Sequence, residues 1–302
     1  MPELPDVEIY CEALTRFYAG RRVESLSLRS PFVVRSVDPD LFAVEGRRIL
    51  SFRRLGKRIV WEFEGDLYLV LHLMIAGRLH RKPPKARARG KQDLAAFYFG
   101  EDDGPPDVLM LTEASPKRQA SIHMVQGAAG LPAHDPRGLE PLTCSLEEFT
   151  QRLRSENHTL KRSLASPRLF SGIGNAYSDE ILHAARLSPV QLTSRLTDEQ
   201  ITSLFIATRE TLNTWIARLC AEVGGGFPEK VTAFHPEMAV HGRFGLPCPV
   251  CFSTVQRIRY ADNETNYCPR CQTGGKMLAD RSLSRLLKDD WPRTIEEWEA
   301  DH

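Results

Sequence analysis

Cys248-Pro-Val-Cys251 and Cys268-Pro-Arg-Cys271 are two C-x2-C pairs with sixteen residues between them. Two short turns at that spacing can set four sulfurs tetrahedrally around Zn²⁺, and an all-sulfur set leaves no open position for catalysis. The pattern predicts one structural zinc, with Cys248, Cys251, Cys268 and Cys271 as ligands, holding a small module together. At the other end of the chain Pro2 follows Met1. Once Met1 is removed, Pro2 is a secondary amine that can attack a sugar C1′ carbon and form an iminium. Glu3 could then protonate the ring oxygen as the sugar opens. The same two residues also suit a plain helix start, with proline in the first turn and an acid near the positive end of the dipole. Ser171-Gly172-Ile173-Gly174-Asn175 joins two helical stretches by a tight glycine turn. Such a turn either offers N–H groups to a phosphate or packs two helices closely.

These residues need elements to hold them. Val7, Cys11, Leu14 and Tyr18 recur at helical steps, which predicts a helix over 2–18 ended by Gly20. From Val23 to about Gln126 the pattern turns to short β-rich runs, among them 59–63, 67–73, 95–99 and 108–111, which suit a sandwich or a barrel. A Gly-, Pro- and Ala-rich stretch, 127–141, reads as a hinge. Helices are expected over 145–154, 161–164, 178–186 and 197–220, and Gly224 to Gly226 break the last. The residues between the cysteine pairs read as a hairpin turning near Asp262-Asn263, with Arg257 and Arg259 on it as candidates for a phosphate backbone. A short helix is expected around Leu283 to Leu287.

Composition bounds the rest. With 302 residues, two domains are expected. Hydrophobic residues make up 42% and charged residues 26%, and no run reaches the roughly 18 apolar residues of a membrane span. Acidic residues at positions 3, 6 and 8 replace the basic start of a secretion signal, so a reducing, intracellular setting is expected and the seven cysteines are not read as a disulfide framework. A net charge of +1 argues against a uniformly basic DNA-coating protein but leaves room for a local basic face. Arg78, Arg81, Lys82, Lys85, Arg87, Arg89 and Lys91 form such a run, either a solvated loop or a nucleic-acid contact, while the tail from Asp289 to Asp301 is acidic.

Met1-Pro-Glu-Leu-Pro-Asp-Val-Glu8, the turn Gly172-Ile-Gly-Asn-Ala-Tyr-Ser-Asp-Glu180 and the four-cysteine finger, in that order, closely resemble the formamidopyrimidine-DNA glycosylase and endonuclease VIII family over about 1–272. The resemblance implies an α+β multidomain chain: an N-terminal helix and β-sandwich (1–126), a hinge (127–141), a helix–two-turn–helix domain (142–226), a zinc finger (240–273) and a tail (274–302). It implies a bifunctional DNA glycosylase and abasic-site lyase of base excision repair, cutting the glycosidic bond and then eliminating both phosphates. The implied partner is double-stranded DNA with a damaged base or abasic site, held by a cytoplasmic, nucleoid-associated monomer of bacterial type, with no membrane. Position by position, Pro2 matches the nucleophile, Glu3 the general acid and Lys57 a lysine that contacts a phosphate beside the lesion. His72 and Asn175 match further phosphate ligands, and Glu180 an acid of the helix after the turn.

The chain also departs from that pattern. Asn263 stands where the family's finger has an arginine, so Arg257 or Arg259 is expected to take its place. The segment that fills the gap left by an extruded base offers Lys117, Arg118 and Gln119, with Ile75 at the wedge position and Met74 beside it. The stretch Gly225 to Pro247 is short where the formamidopyrimidine branch caps oxidised guanine, which leaves ring-opened purines, oxidised pyrimidines and bare abasic sites as expected substrates. Two rival functions remain at this stage: a non-catalytic family member that binds damaged DNA, and a zinc-finger transcription factor, which leaves the N-terminal motif unexplained.

Overall fold

Leu4–Tyr18 form helix α1, whose Val7, Tyr10, Leu14 and Tyr18 are fully buried along one face. The helix starts two residues later than its periodicity suggests. Glu3 is instead the extended N-cap, and its N–H donates to Asp6 Oδ2 at 2.8 Å. Pro5 occupies the first turn, where its missing N–H has no intrahelical partner to lose.

Eight strands follow: β1 Ser25–Leu28, β2 Ile49–Leu55, β3 Arg58–Phe63, β4 Leu67–His72, β5 Gly77–Lys82, β6 Asp93–Phe99, β7 Asp107–Glu113 and β8 Ser121–Gln126. They make two antiparallel four-stranded sheets, ordered β1-β6-β7-β5 and β2-β3-β4-β8. Two separate sheets settle the choice left by the β-rich pattern in favour of a sandwich rather than a barrel. Trp61 on β3 is fully buried, with its ring centroid 4.8 Å from that of Phe97 on β6 and 5.3 Å from that of Phe52 on β2. Leu69, Leu109, Leu111 and the buried face of α1 complete this core. The stretch expected to be a hinge holds a 3-10 helix, Ala128–His134, because Leu131 is drawn into an apolar cluster with Val60, Tyr68, Val70 and Val125.

The structure, a computed structural model, describes residues 1–232, 234–260, 263–278 and 292–300, and the hairpin tip at 261–262 and the helix expected near 283–287 lie outside them. The chain divides into two units, one of Met1–Pro136 with the stretch that begins at Trp215, the other of Arg137–Thr214 with the described residues from Phe234 on. In the second unit, α2 (Leu146–Arg154) is capped by Ser145, whose hydroxyl accepts the Glu148 N–H. Helices α3 (Leu160–Ala165) and α4 (Asn175–Ala184) follow, then α5 (Asp198–Val223). Phe149 of α2 packs against Phe170 and, edge on, against Phe205 of α5. Beyond Trp215, Leu219 and Val223 of α5 pack with Phe227 against the first unit's core. The sequence pattern places that stretch with 142–226. The finger consists of β9 (Gln256–Tyr260), β10 (Asn263–Tyr267) and α6 (Pro269–Thr273). Among the described residues no helix is long and apolar enough to cross a membrane.

Candidate active site and zinc centre

Pro2 and Glu3 are buried at the foot of α1, and Glu3 is only 2% exposed. The chain's amino group sits within electrostatic reach of Glu3, Arg78, Asp6 and Lys57. Burial lowers the ammonium pKa below its ordinary value; Arg78 and Lys57 lower it further, against the pull of Glu3 and Asp6. Burial also raises the Asp6 carboxyl to about 7, with the Glu3 N–H and the nearby cations opposing. Arg78 is fixed in this cluster by its backbone partners, since its Nε donates to Val231 O at 2.6 Å and its Nη1 to Gly77 O at 2.6 Å. Spacing gave no sign of this, because Arg78 stands at the head of a basic run that reads as loop. The run is in part strand: Arg78 and Arg81 lie on β5, and Arg81 donates to buried Asp107 at 2.5 Å with its guanidinium 4.2 Å from the Phe17 ring centre. Asp107 also accepts from Arg21 at 3.2 Å, so two guanidinium groups share one buried carboxylate.

His72 ends β4, and its imidazole is pushed down to about 4 by burial, then by Arg58, Lys57 and His123. The ring is neutral at pH 7 and offers a hydrogen bond rather than a charge. After it the chain turns over Leu73 to Gly77, closed by a 2.8 Å bond from the Gly77 N–H to Leu73 O. A Cβ on Gly77 would lie 2.3 Å from that oxygen, so only glycine fits. This turn lifts Ile75 out of the sandwich, 58% exposed, with Met74 beside it at φ 52°. Lys117 and Arg118 are exposed on the turn after β7. Buried Glu113 organises that turn by accepting the N–H groups of Gln119 and Ala120 at 2.9 and 3.0 Å. Thus the first unit gathers Pro2, Glu3 and Lys57 about the amine, sets His72 near Lys57, and presents Ile75, Lys117 and Arg118 on exposed turns.

In the second unit Gly172 takes φ 76°, and α4 begins at Asn175, three residues before the position its pattern suggests. Asn175 Nδ2 donates to Glu264 O at 2.8 Å, which ties the glycine turn to β10 of the finger. The carboxylate of Glu264 accepts from Arg257 Nη1 and Arg259 Nε, each at 3.4 Å, and from Asn266 Nδ2 at 2.8 Å. Glu180, 5% exposed, accepts the backbone N–H groups of Ala239, Val240 and His241 at 2.7, 2.9 and 2.9 Å. It thereby fixes the approach to the finger. Asp179 joins Lys161 at 2.5 Å and His241 at 2.8 Å in the same layer.

The four cysteine sulfurs lie within 4.8 Å of one another. Tetrahedral Zn–S bonds of about 2.3 Å put sulfurs about 3.8 Å apart. The Cys248–Cys271 and Cys251–Cys268 distances of 3.9 and 3.3 Å bracket that value. Burial drives the Cys271 thiol up to about 12 and raises Cys268 as well. Thiols clustered this way ionise together only with a cation among them, so the donor set fits zinc.

Comparison with known proteins matches the chain domain by domain and over most of its length. The profile of the formamidopyrimidine-DNA glycosylase N-terminal domain matches residues 1–117, that of the H2TH domain of the same enzymes 137–222, and a zinc finger found in these glycosylases and isoleucyl-tRNA synthetases 245–274. A formamidopyrimidine-DNA glycosylase of Heliobacterium modesticaldum is 32% identical over 282 residues, covering 90% of this chain and 100% of the relative. The chain belongs to the formamidopyrimidine-DNA glycosylase family. Another glycosylase of the family, from Thermus thermophilus, is 32% identical over 289 residues, covering 91% of this chain and 100% of its own. The family's solved structures include the Lactococcus lactis glycosylase in complex with abasic-site DNA, which aligns with a TM-score of 0.79 at 26% identity, covering 90% of this chain and 99% of that one. The shared 90% leaves part of this glycosylase-family chain unmatched. The described C-terminal helix, Ile295–Ala300, lies against the finger through Arg270, which pairs with Glu296 at 3.3 Å and Glu299 at 3.5 Å.

Proposed function

We propose that this chain is a bifunctional DNA glycosylase and abasic-site lyase that removes oxidised or ring-opened bases through a Schiff base on Pro2. One observation carries the reading: Pro2 and Glu3 are buried together at the chain start, where the partly buried Met1 amine lies within electrostatic reach of Lys57 and Arg78 and burial favours its neutral form. A neutral secondary amine is the nucleophile the reaction needs. Removal of Met1 would convert the Pro2 amide nitrogen into a secondary amine in these surroundings.

In the proposed sequence Pro2 attacks C1′ of an everted nucleotide and the damaged base departs with the glycosidic electron pair. Glu3 gives its proton to the ring oxygen as the sugar opens, and the amine proton passes to the departing base, which frees the nitrogen lone pair to complete the iminium. Loss of a C2′ proton to the ionised Glu3 then expels the 3′ phosphate, and a second elimination expels the 5′ phosphate. Asp6, with a pKa near neutrality, can pass protons at the same helix foot. Everting a nucleotide costs a few kcal/mol, which phosphate contacts from Lys57, His72 and Asn175 and the apolar insertion of Ile75 would offset. Lys117 and Arg118 would flank the insertion, and Arg257 and Arg259 would grip backbone from the finger. Cys248, Cys251, Cys268 and Cys271 would hold zinc, which would keep the hairpin folded and supply no open position for bond making.

A second reading, damage binding without chemistry, draws on one observation: both finger arginines are turned onto Glu264. One assay separates the two. Duplexes each carrying a single formamidopyrimidine, 8-oxoguanine, oxidised pyrimidine or abasic site are incubated with the purified protein, and both base release and strand ends are scored. The proposal expects released base and a gap flanked by phosphates for at least one lesion. Tight binding with every duplex left intact favours the second reading.

A further inference from the structure

His183 lies in the last turn of α4, 6% exposed, with its Nε2 3.3 Å from the sulfur of Cys248. Cys248 is itself fully buried. Four thiolates around one Zn²⁺ make a dianion, and a buried dianion needs donors pointed at its sulfurs. Two of the sulfurs are served by backbone: the Cys271 N–H faces Cys268 Sγ at 3.5 Å, and the Ser253 N–H serves Cys251. At Cys248 the facing group is an imidazole. A metal-bound thiolate carries no proton, so the contact is a hydrogen bond only if Nε2 bears one.

The helix that supplies this ring is the one that begins at Asn175. Its N-terminus reaches β10 through the Asn175–Glu264 bond, its middle holds 239–241 through Glu180, and just past its end Leu187 O accepts from Gln272 Nε2 at 2.9 Å. Gln272 in turn accepts the Cys268 N–H at 2.8 Å. We infer that His183 is an outer-sphere partner of the zinc, donating Nε2–H to the Cys248 thiolate and so fixing the metal centre to the helix that carries the glycine turn. His183 is a positioning residue in this account: it orients Cys248 and spreads its charge. The inference rests on the four cysteines holding zinc.

The test uses the zinc-loaded protein and its His183→Phe and His183→Gln variants, with circular dichroism to establish folding. Zinc release to a chromogenic chelator is followed in time, and the thiolate-to-metal charge-transfer band is recorded after cobalt substitution. His183→Phe keeps a ring but removes the donor, and release is expected to quicken about 10- to 100-fold, with the cobalt band moved to lower energy. His183→Gln keeps an N–H and should recover part of both effects, which a loss of packing alone would not produce. Release at the wild-type rate with an unmoved band in His183→Phe overturns the inference. Should that variant not fold, nitrogen NMR of the wild-type ring decides: a proton on Nε2 supports it, and a bare Nε2 overturns it. Metal analysis of the wild type separates the two layers, since protein without zinc removes the ground of the inference itself.

Discussion

Asp6→Asn should make this protein more stable at neutral pH, and less sensitive to pH, although it removes a charge from a helix N-terminus. Asp6 is 1% exposed, and burial lifts its carboxyl to about 7 from an ordinary 3.8. The folded state therefore holds the proton more tightly than the unfolded chain. Its contribution is fully present below about pH 4 and is lost as pH rises towards 7, because the unfolded chain ionises first. A difference of about 3 units at 1.36 kcal/mol each amounts to about 4 kcal/mol. Asparagine keeps an oxygen to accept the Glu3 N–H and has no proton to lose. The assay is urea unfolding of both proteins from pH 4.5 to 7.5, in which groups that do not sense Asp6 cancel in the difference. The stability of Asp6→Asn relative to the parent is expected to rise by about 3 kcal/mol across that range, the rest of the difference falling below pH 4.5. Parallel curves would refute the reasoning.

Three further outcomes are expected. The His72 ring should titrate near 4 by NMR, and folding stability gained from its neutral form should be full above about pH 6.5 and fall as pH drops towards 4, because the unfolded chain takes up the proton first. Asp107→Ala leaves Arg21 and Arg81 facing each other over a buried site, and should cost about 3–5 kcal/mol in denaturation. Glu3→Gln should slow base release about 10²- to 10⁴-fold in single-turnover assays while abasic-site DNA still binds.

Local chemistry was legible in the sequence, whereas long-range pairing was not. The finger follows from cysteine spacing because two C-x2-C turns nearly dictate a tetrahedral site, and α1 follows from an apolar stripe whose face is buried as expected. The expected start of α4 at 178 falls three residues late, since the Ser178 hydroxyl donates back to the Gly174 carbonyl inside a helix already begun. Arg81 looked like part of a solvated run because its partner, Asp107, lies on another strand. Glu180, Glu113 and Arg78 act on backbone groups brought near by tertiary folding. No local pattern marks an acid that will cap a loop 59 residues away. The N-terminal motif, by contrast, has a second, ordinary reading as a helix start, and Glu3 does serve as the N-cap of α1 while lying buried among charges.

The central claim, that the amine of Pro2 is the nucleophile, is tested most directly by borohydride reduction during reaction with abasic-site DNA, followed by mass mapping of the adduct. Protein whose N-terminus is first verified as proline should yield a covalent product, with the sugar remnant on the nitrogen of Pro2. A remnant found on a lysine, or no reducible product from that verified protein, would contradict it.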